Sequence, residues 1–289
     1  MLNKRTECNK PVTTALLLAA GTGSRLYPLT KNEPKCLTSV SGKTILERMI
    51  KNLNRQGFKR LVVVTGHLQE CIRNYLGDQR GELKIEYIFS PLYKTTNNIY
   101  SLWMAREAIK EPFLLLESDL VIDDSLLEEM IYPDRIALAK MQPWMNGTCV
   151  TIDQSDMVSN FLTDHREHPD DQKYKTVNIY SFSLSSWKKI IQRLDKQISA
   201  GNVNSYYETV FAELKAENNL ELKSVFFDGK PWYEIDTLED LALAEKIFPA
   251  SIHRATKSAI QVNPKVYYKH LVKTVLTPQK SVGALNVAK

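Results

Sequence analysis

The chain has 289 residues and only four cysteines, Cys8, Cys36, Cys71 and Cys149, with no Cys-x-x-Cys pair among them. That spacing argues against a zinc ribbon and against a disulfide scaffold. Cys36 reads as a small buried residue rather than a nucleophile. Histidine is equally scarce, with five. His165 and His168 share an acidic loop without a further ligand nearby, and no metal role is assigned to them. No apolar run approaches the ~18 residues of a membrane-spanning helix, and residues 1–10 are too polar for a signal-peptide core. The chain reads as soluble and cytoplasmic. Acidic residues are missing from 251–289, where Arg254, Lys257, Lys265, Lys269, Lys273, Lys280 and Lys289 supply seven positive charges. The formal net charge of +5 is therefore a property of that segment, and residues 1–250 carry −2. The body lacks a basic face with interleaved aromatics, so nucleic acid is not the expected partner.

What is present suits one large α/β domain: 43% hydrophobic and 25% charged residues, with apolar blocks alternating with helical spacing. Strands are expected near 14–19, 61–64, 84–89 and 113–116, interleaved with helices around 45–53, 68–76 and 98–110. Such alternation implies parallel strands with right-handed crossovers, a three-layer α/β/α, Rossmann-like arrangement with ligands beyond the carboxyl ends of the strands. From about 135 the order changes to strands near 136–140, 148–152 and 176–184. Helices near 185–198 and 205–218 follow, then strands at 222–227 and 232–236 and a closing helix at 237–248. The sheet is thus expected to be mixed but mostly parallel, with a smaller insertion. The domain is placed at 12–248. Residues 249–289 read as a basic tail or linker leading to a fused partner domain, with an oligomer or anionic-surface contact as the alternative. A homodimer is compatible with that reading.

The densest signal is Leu16-Leu17-Leu18-Ala19-Ala20-Gly21-Thr22-Gly23-Ser24-Arg25, followed by Glu33-Pro34-Lys35. An unbroken apolar run suits a strand covered on both faces. Ala19, Ala20, Gly21 and Gly23 remove side-chain bulk where backbone N–H groups must approach a ligand. Arg25 offers a planar fork to phosphate oxygens and Pro34 fixes the backbone ahead of Lys35. The glycine spacing fits neither a Walker loop nor a dinucleotide fingerprint. The combination is a polyphosphate grip, and it resembles the signature of the nucleotidyltransferases.

Asn97-Asn98-Ile99-Tyr100-Ser101-Leu102 narrows the resemblance to the phosphocholine and phosphonate cytidylyltransferases. The stretch Lys175-Thr176-Val177-Asn178-Ile179-Tyr180-Ser181 is similar to that of the 2-aminoethylphosphonate cytidylyltransferases. The similarity extends over about residues 12–248. The resemblance implies CTP as nucleotide, held near Leu18, Ala19, Ala20, Gly21, Gly23, Gly66, Asn98 and Ser101, with Arg25 and Lys35 as the catalytic cations. It implies Mg²⁺ on Asp119 and Asp236, although Asp236 also suits a helix N-cap and Asp119 a turn. Glu117 stands where Asp-x-Asp is often seen. The acceptor would meet Lys175, Trp144, Asn178, Tyr207, Glu208 and Trp232. Quaternary choline asks for aromatic rings and a primary ammonium for carboxylates, and the sequence holds both. The implied reaction transfers CMP from CTP to 2-aminoethylphosphonate by direct in-line attack. Alternatives are phosphocholine as acceptor, a sugar 1-phosphate, or an inactive nucleotide-binding module.

Overall fold

A computed structural model describes residues 10–142, 145–162 and 172–250. Trp144, the loop holding His165 and His168, and the basic segment from 251 onward lie outside the described residues. Among the described residues no helix is long and apolar enough to cross a membrane.

Strand β1 (Thr14–Ala19) is buried along its whole length and pairs in parallel with β4 (Arg60–Thr65) and β7 (Phe113–Glu117). Its residues alternate between two cores. Ala15, Leu17 and Ala19 pack beneath α1 (Ile45–Arg55) and α2 (Gln69–Leu76), while Leu16, Leu18 and Ala20 pack toward α3 (Asn98–Met104), α4 (Leu184–Ser199) and α5 (Glu208–Ala216). This two-sided burial explains why the strand reads as a continuous apolar run. It produces the expected three layers.

Among the described residues the main sheet has ten strands. β6 (Leu83–Phe89) continues the parallel set beyond β4, and β5 (Gln79–Arg80) closes that edge. On the other side β12 (Tyr174–Phe182) runs antiparallel to both β7 and β9 (Arg135–Lys140). β13 (Lys223–Phe226) adds in parallel to β9, while β10 (Cys149–Ile152) and β11 (Val158–Leu162) extend from the first residues of β12. β12 changes partner along its length, meeting β10 at Tyr174–Lys175 and β7 at Ile179–Phe182. Between them its register shifts and Asn178 adopts φ 59°, a left-handed backbone that Asn tolerates better than most residues.

A pair of short strands, β2 (Ser39–Val40) and β3 (Lys43–Thr44), leads into α1, whose Thr44 side chain caps the helix by accepting from Glu47 N–H at 2.9 Å. β8 (Leu120–Ile122) and β14 (Trp232–Glu234) form a separate antiparallel pair. Val121, Tyr233 and Ile235 share a small core with Leu26, Val40, Ile45 and Ala244 of α6 (Leu238–Ile247). That third core anchors the loop after β1 to the end of the domain. β2, β3, β5 and β8 are only two or three residues long, too short for periodicity to announce, and β11 is not among the expected strands either. The helix expected over 98–110 ends at Met104 and tightens into a 3₁₀ turn at Ala105–Glu107.

Candidate active site

Beyond the carboxyl ends of β1 and β7 opens a cavity of about 710 Å³. Leu18, Ala20, Gly21, Gly23, Arg25 and Lys35 form one part of its wall. Gly23 is left-handed at φ 61°, and an added Cβ would come within 2.9 Å of Thr30 Cγ2. The Thr30 hydroxyl donates to the Gly23 carbonyl at 2.8 Å, fixing the turn. Gly21 has no atom within 4 Å of a Cβ position, so the space it leaves belongs to the cavity. Two residues expected near the nucleotide, Ala19 and Gly66, are not among those lining the cavity. Ala19 turns its side chain into the core beneath α1 and α2. Gly66 is packed from behind, since a Cβ there would lie 2.5 Å from the Ala20 carbonyl and 2.7 Å from the Tyr93 ring. It supports the loop and does not line the wall.

Lys35 projects from the 3₁₀ turn after Pro34 and is held between two carboxylates, 2.8 Å from Asp119 Oδ2 and 2.6 Å from Asp236 Oδ1. Arg25 joins the same oxygen of Asp236 at 2.8 Å from a more exposed position. Burial alone would lower the Lys35 pKa, but the two carboxylates outweigh it and carry the ammonium above the usual lysine range.

Asp119 sits on the turn between β7 and β8, and Asp236 between β14 and α6. Pairing of Glu234 with Leu120 and the bond from Ile235 N–H to the Asp119 carbonyl (3.0 Å) bring the two turns together. Asp236 is free of capping duty because Thr237 is the N-cap. The Thr237 hydroxyl accepts from Asp240 N–H at 3.1 Å, and Asp240 Oδ2 accepts from Thr237 N–H at 2.8 Å and Asp236 N–H at 3.1 Å.

One ligand atom each from Asp119, Glu234 and Asp236 lie within 4.8 Å of one another, and Asp119 Oδ1 is buried without a hydrogen-bond partner. An orphaned carboxylate oxygen beside two more hard oxygen donors fits a divalent cation such as magnesium. Glu234 was missed in the sequence, although its two-residue spacing from Asp236 at a strand end was there to be read.

Glu117 is not part of that group. Its parity with Phe113 and Leu115 points it to the α3–α5 face, where Asn98 Nδ2 donates to its Oε1 at 3.0 Å. Burial, then the neighbouring Asp119 and Glu208 carboxylates, push its pKa up to about 8. Asn98 also accepts from Tyr207 N–H at 3.0 Å, so its amide, expected near the base, is engaged at both ends while still lining the cavity. Ser101 lines the wall one turn on.

Of the residues expected to meet an acceptor, Lys175, Asn178, Glu208 and Trp232 face the cavity. Lys175 Nζ donates to the Thr176 carbonyl at 2.7 Å and lies 3.5 Å from Glu234 Oε2. Glu208, the first residue of α5, is 4% exposed with Oε2 unpartnered. Burial pushes its pKa up to about 7 against the pull of Lys175. Tyr207 is a correction: its ring is fully buried, edge-on to Tyr180 at 5.8 Å, and absent from the wall. Its neighbour Tyr206, 61% exposed, lines the cavity instead.

A nucleotidyl transferase family profile matches residues 14–248, and the chain belongs to that family. It is 30% identical over 243 residues to a CMP-5'-(3-aminopropyl)phosphonate synthase of Streptomyces rubellomurinus, a match covering 80% of this chain and 38% of that protein. It is 26% identical over 250 residues to a CTP:phosphoglutamine cytidylyltransferase of Campylobacter jejuni, covering 78% of this chain and 97% of that one. Among solved structures, the CTP:phosphocholine cytidylyltransferase of Streptococcus pneumoniae superposes with a TM-score of 0.72 at 23% identity, over 82% of this chain and all of that chain. The enzyme is a nucleotidyltransferase with this mixed, mostly parallel α/β fold.

Proposed function

We propose that the protein transfers CMP from CTP to a small aminoalkylphosphonate, 2-aminoethylphosphonate being the first choice, with release of pyrophosphate. The observation that carries the reading is the convergence of Lys35, Asp119 and Asp236 from three distant segments, around an unpartnered carboxylate oxygen, at the mouth of a glycine-rich loop. The relatives named above act on phosphonate or phosphate acceptors with a cytidine nucleotide, and the acids around Glu208 suit an amino group.

A phosphonate oxygen attacks the α-phosphorus of CTP in line. The new P–O bond forms as the α–β phosphoanhydride breaks, and the electron pair leaves on pyrophosphate. The phosphonate is already anionic near neutral pH, so the chain need supply no general base, only alignment and charge. Arg25 and Lys35 receive the triphosphate, Gly21 and Gly23 admit it to the backbone, and Leu18, Ala20, Asn98 and Ser101 shape the nucleoside side. Asp119 and Asp236, joined by Glu234, would hold Mg²⁺, which when bound neutralises phosphate oxygens. Lys175 and Asn178 orient the phosphonate. Residues 12–248 form the catalytic unit.

Phosphocholine is the second reading, supported by Tyr206 and Trp232 at the wall, rings that could receive a quaternary ammonium. A pyrophosphate-release assay crossing four nucleoside triphosphates with 2-aminoethylphosphonate, phosphocholine, phosphoethanolamine and glucose 1-phosphate tests both. Release confined to CTP with 2-aminoethylphosphonate supports the first reading. Release confined to phosphocholine moves it to the second, and release with none overturns the transferase assignment.

A further inference from the structure

The acids around Glu208 outnumber the bases. Among the described residues Glu117 feels Glu208 and Glu234, and Glu208 feels Glu234, with Lys175 as the cation acting on Glu208; its Nζ already serves the Thr176 carbonyl and Glu234, which also feels Lys35. At the mouth, by contrast, Asp119 and Asp236 are matched by Lys35 and Arg25. Glu208 is deeply buried and its Oε2 makes no hydrogen bond of ordinary geometry, although the Tyr180 hydroxyl is near enough to act on the carboxylate, and a carboxylate so placed is costly unless something completes it.

The surrounding contacts hold that carboxylate in place. Asn98 bridges Glu117 on β7 and the backbone N–H of Tyr207, one residue ahead of Glu208. Asn97 N–H donates to the Val203 carbonyl at 2.9 Å and its side chain to the Asn204 carbonyl at 3.4 Å. The asparagine pair thus clamps the segment that carries Glu208 to the segment that carries Glu117.

Resting on the CTP-dependent reading above, we propose that Glu208 and Glu117, positioned by Asn98, form a subsite for the primary ammonium group of the acceptor, and that this subsite sets the preference for aminoalkyl over uncharged or quaternary acceptors. A primary ammonium carries three N–H donors and can serve two carboxylates at once. A quaternary ammonium donates none and asks for ring faces; Tyr207, the ring adjoining Glu208, is turned into the core, while Tyr206 and Trp232 line the wall. Glu117 and Glu208 also stand outside the group whose ligand atoms come within 4.8 Å of one another, which sets them apart from the proposed metal donors.

The test compares kcat/KM for 2-aminoethylphosphonate and ethylphosphonate, which lacks the amino group, within single preparations of wild type, Glu208→Gln and Glu117→Gln, with KM for CTP as control. Because the readout is a ratio inside one preparation, partial misfolding cancels. In the wild type the ratio is expected to be on the order of 100, as for a site that loses a buried ionic partner. It should fall below about 10 in Glu208→Gln, with KM for CTP unchanged. A ratio that stays at its wild-type value in both variants, or a wild type that prefers phosphocholine to 2-aminoethylphosphonate, overturns the subsite while leaving cytidylyl transfer standing. Absence of pyrophosphate release from CTP with every acceptor overturns the parent reading instead.

Discussion

Lys35 Nζ and Asp236 Oδ1 lie 2.6 Å apart although 201 positions separate them in the chain. Asp119 completes the contact from the other side at 2.8 Å. A single ammonium is therefore shared by two carboxylates proposed as metal donors.

Removing that ammonium should have opposite effects on activity and on cation response. Lys35→Ala leaves Asp119 without its cation and Asp236 with Arg25 alone, so turnover is expected to fall at least ~100-fold and the melting temperature to drop in the absence of divalent ions. Added magnesium should restore more stability to the variant than it adds to wild type, because a divalent ion can replace the missing charge. Thermal melts with and without magnesium, beside pyrophosphate release, check both halves.

Asp119→Ala and Asp236→Ala are each expected to lower kcat by about 100-fold or more at saturating magnesium and to weaken Mn²⁺ binding seen by electron paramagnetic resonance. Wild-type rates in both variants would remove these residues from the proposed metal site.

Three glycines, two in the loop after β1 and one after β4, should separate function from stability. Gly66→Ala drives a methyl group against the Ala20 carbonyl and the Tyr93 ring and is expected to cost about 1–3 kcal/mol by overpacking. Gly23→Ala is strained by both φ and the Thr30 contact. Gly21→Ala meets no protein atom, so its melting temperature should hold while KM for CTP rises. Urea melts and nucleotide titrations distinguish the three.

Glu208 gives a pH signature. Its pKa rises from an unfolded value near 4.5 to about 7 in the fold, chiefly through burial, with Lys175 opposing and Glu234 adding. Between those values the folded state binds more protons than the unfolded one, so this residue's contribution to stability declines as pH rises from about 4.5 to 7. Glu208→Gln abolishes that decline and should gain on wild type across the window, by as much as ~3 kcal/mol. Denaturant midpoints at pH 5 and pH 8 supply the measurement.

Much of the framework is legible in sequence because β1, β4 and β7 are covered on both faces, so their apolar runs are uninterrupted and end where the ligand loops begin. Lys35 and Asp119 stand out for the same reason, each following such a landmark. Asp236 was ambiguous between ligand and cap. Only the three-dimensional capping box of Thr237 and Asp240 shows that the Asp236 side chain does not cap α6. Tyr206 and Tyr207 are neighbours of equal chemistry, and the rotation of the chain entering α5 decides which ring meets the cavity.

The pairing of β14 on β8 bears on synthesis as well as on the finished enzyme. Asp236 enters the centre only when this late strand docks. A nascent chain still short of residue 232 holds Lys35 with a single acidic partner, and the phosphate loop lacks Tyr233 and Ile235 beneath Leu26. Ribosome-bound intermediates would thus carry most of the sheet yet no finished catalytic centre.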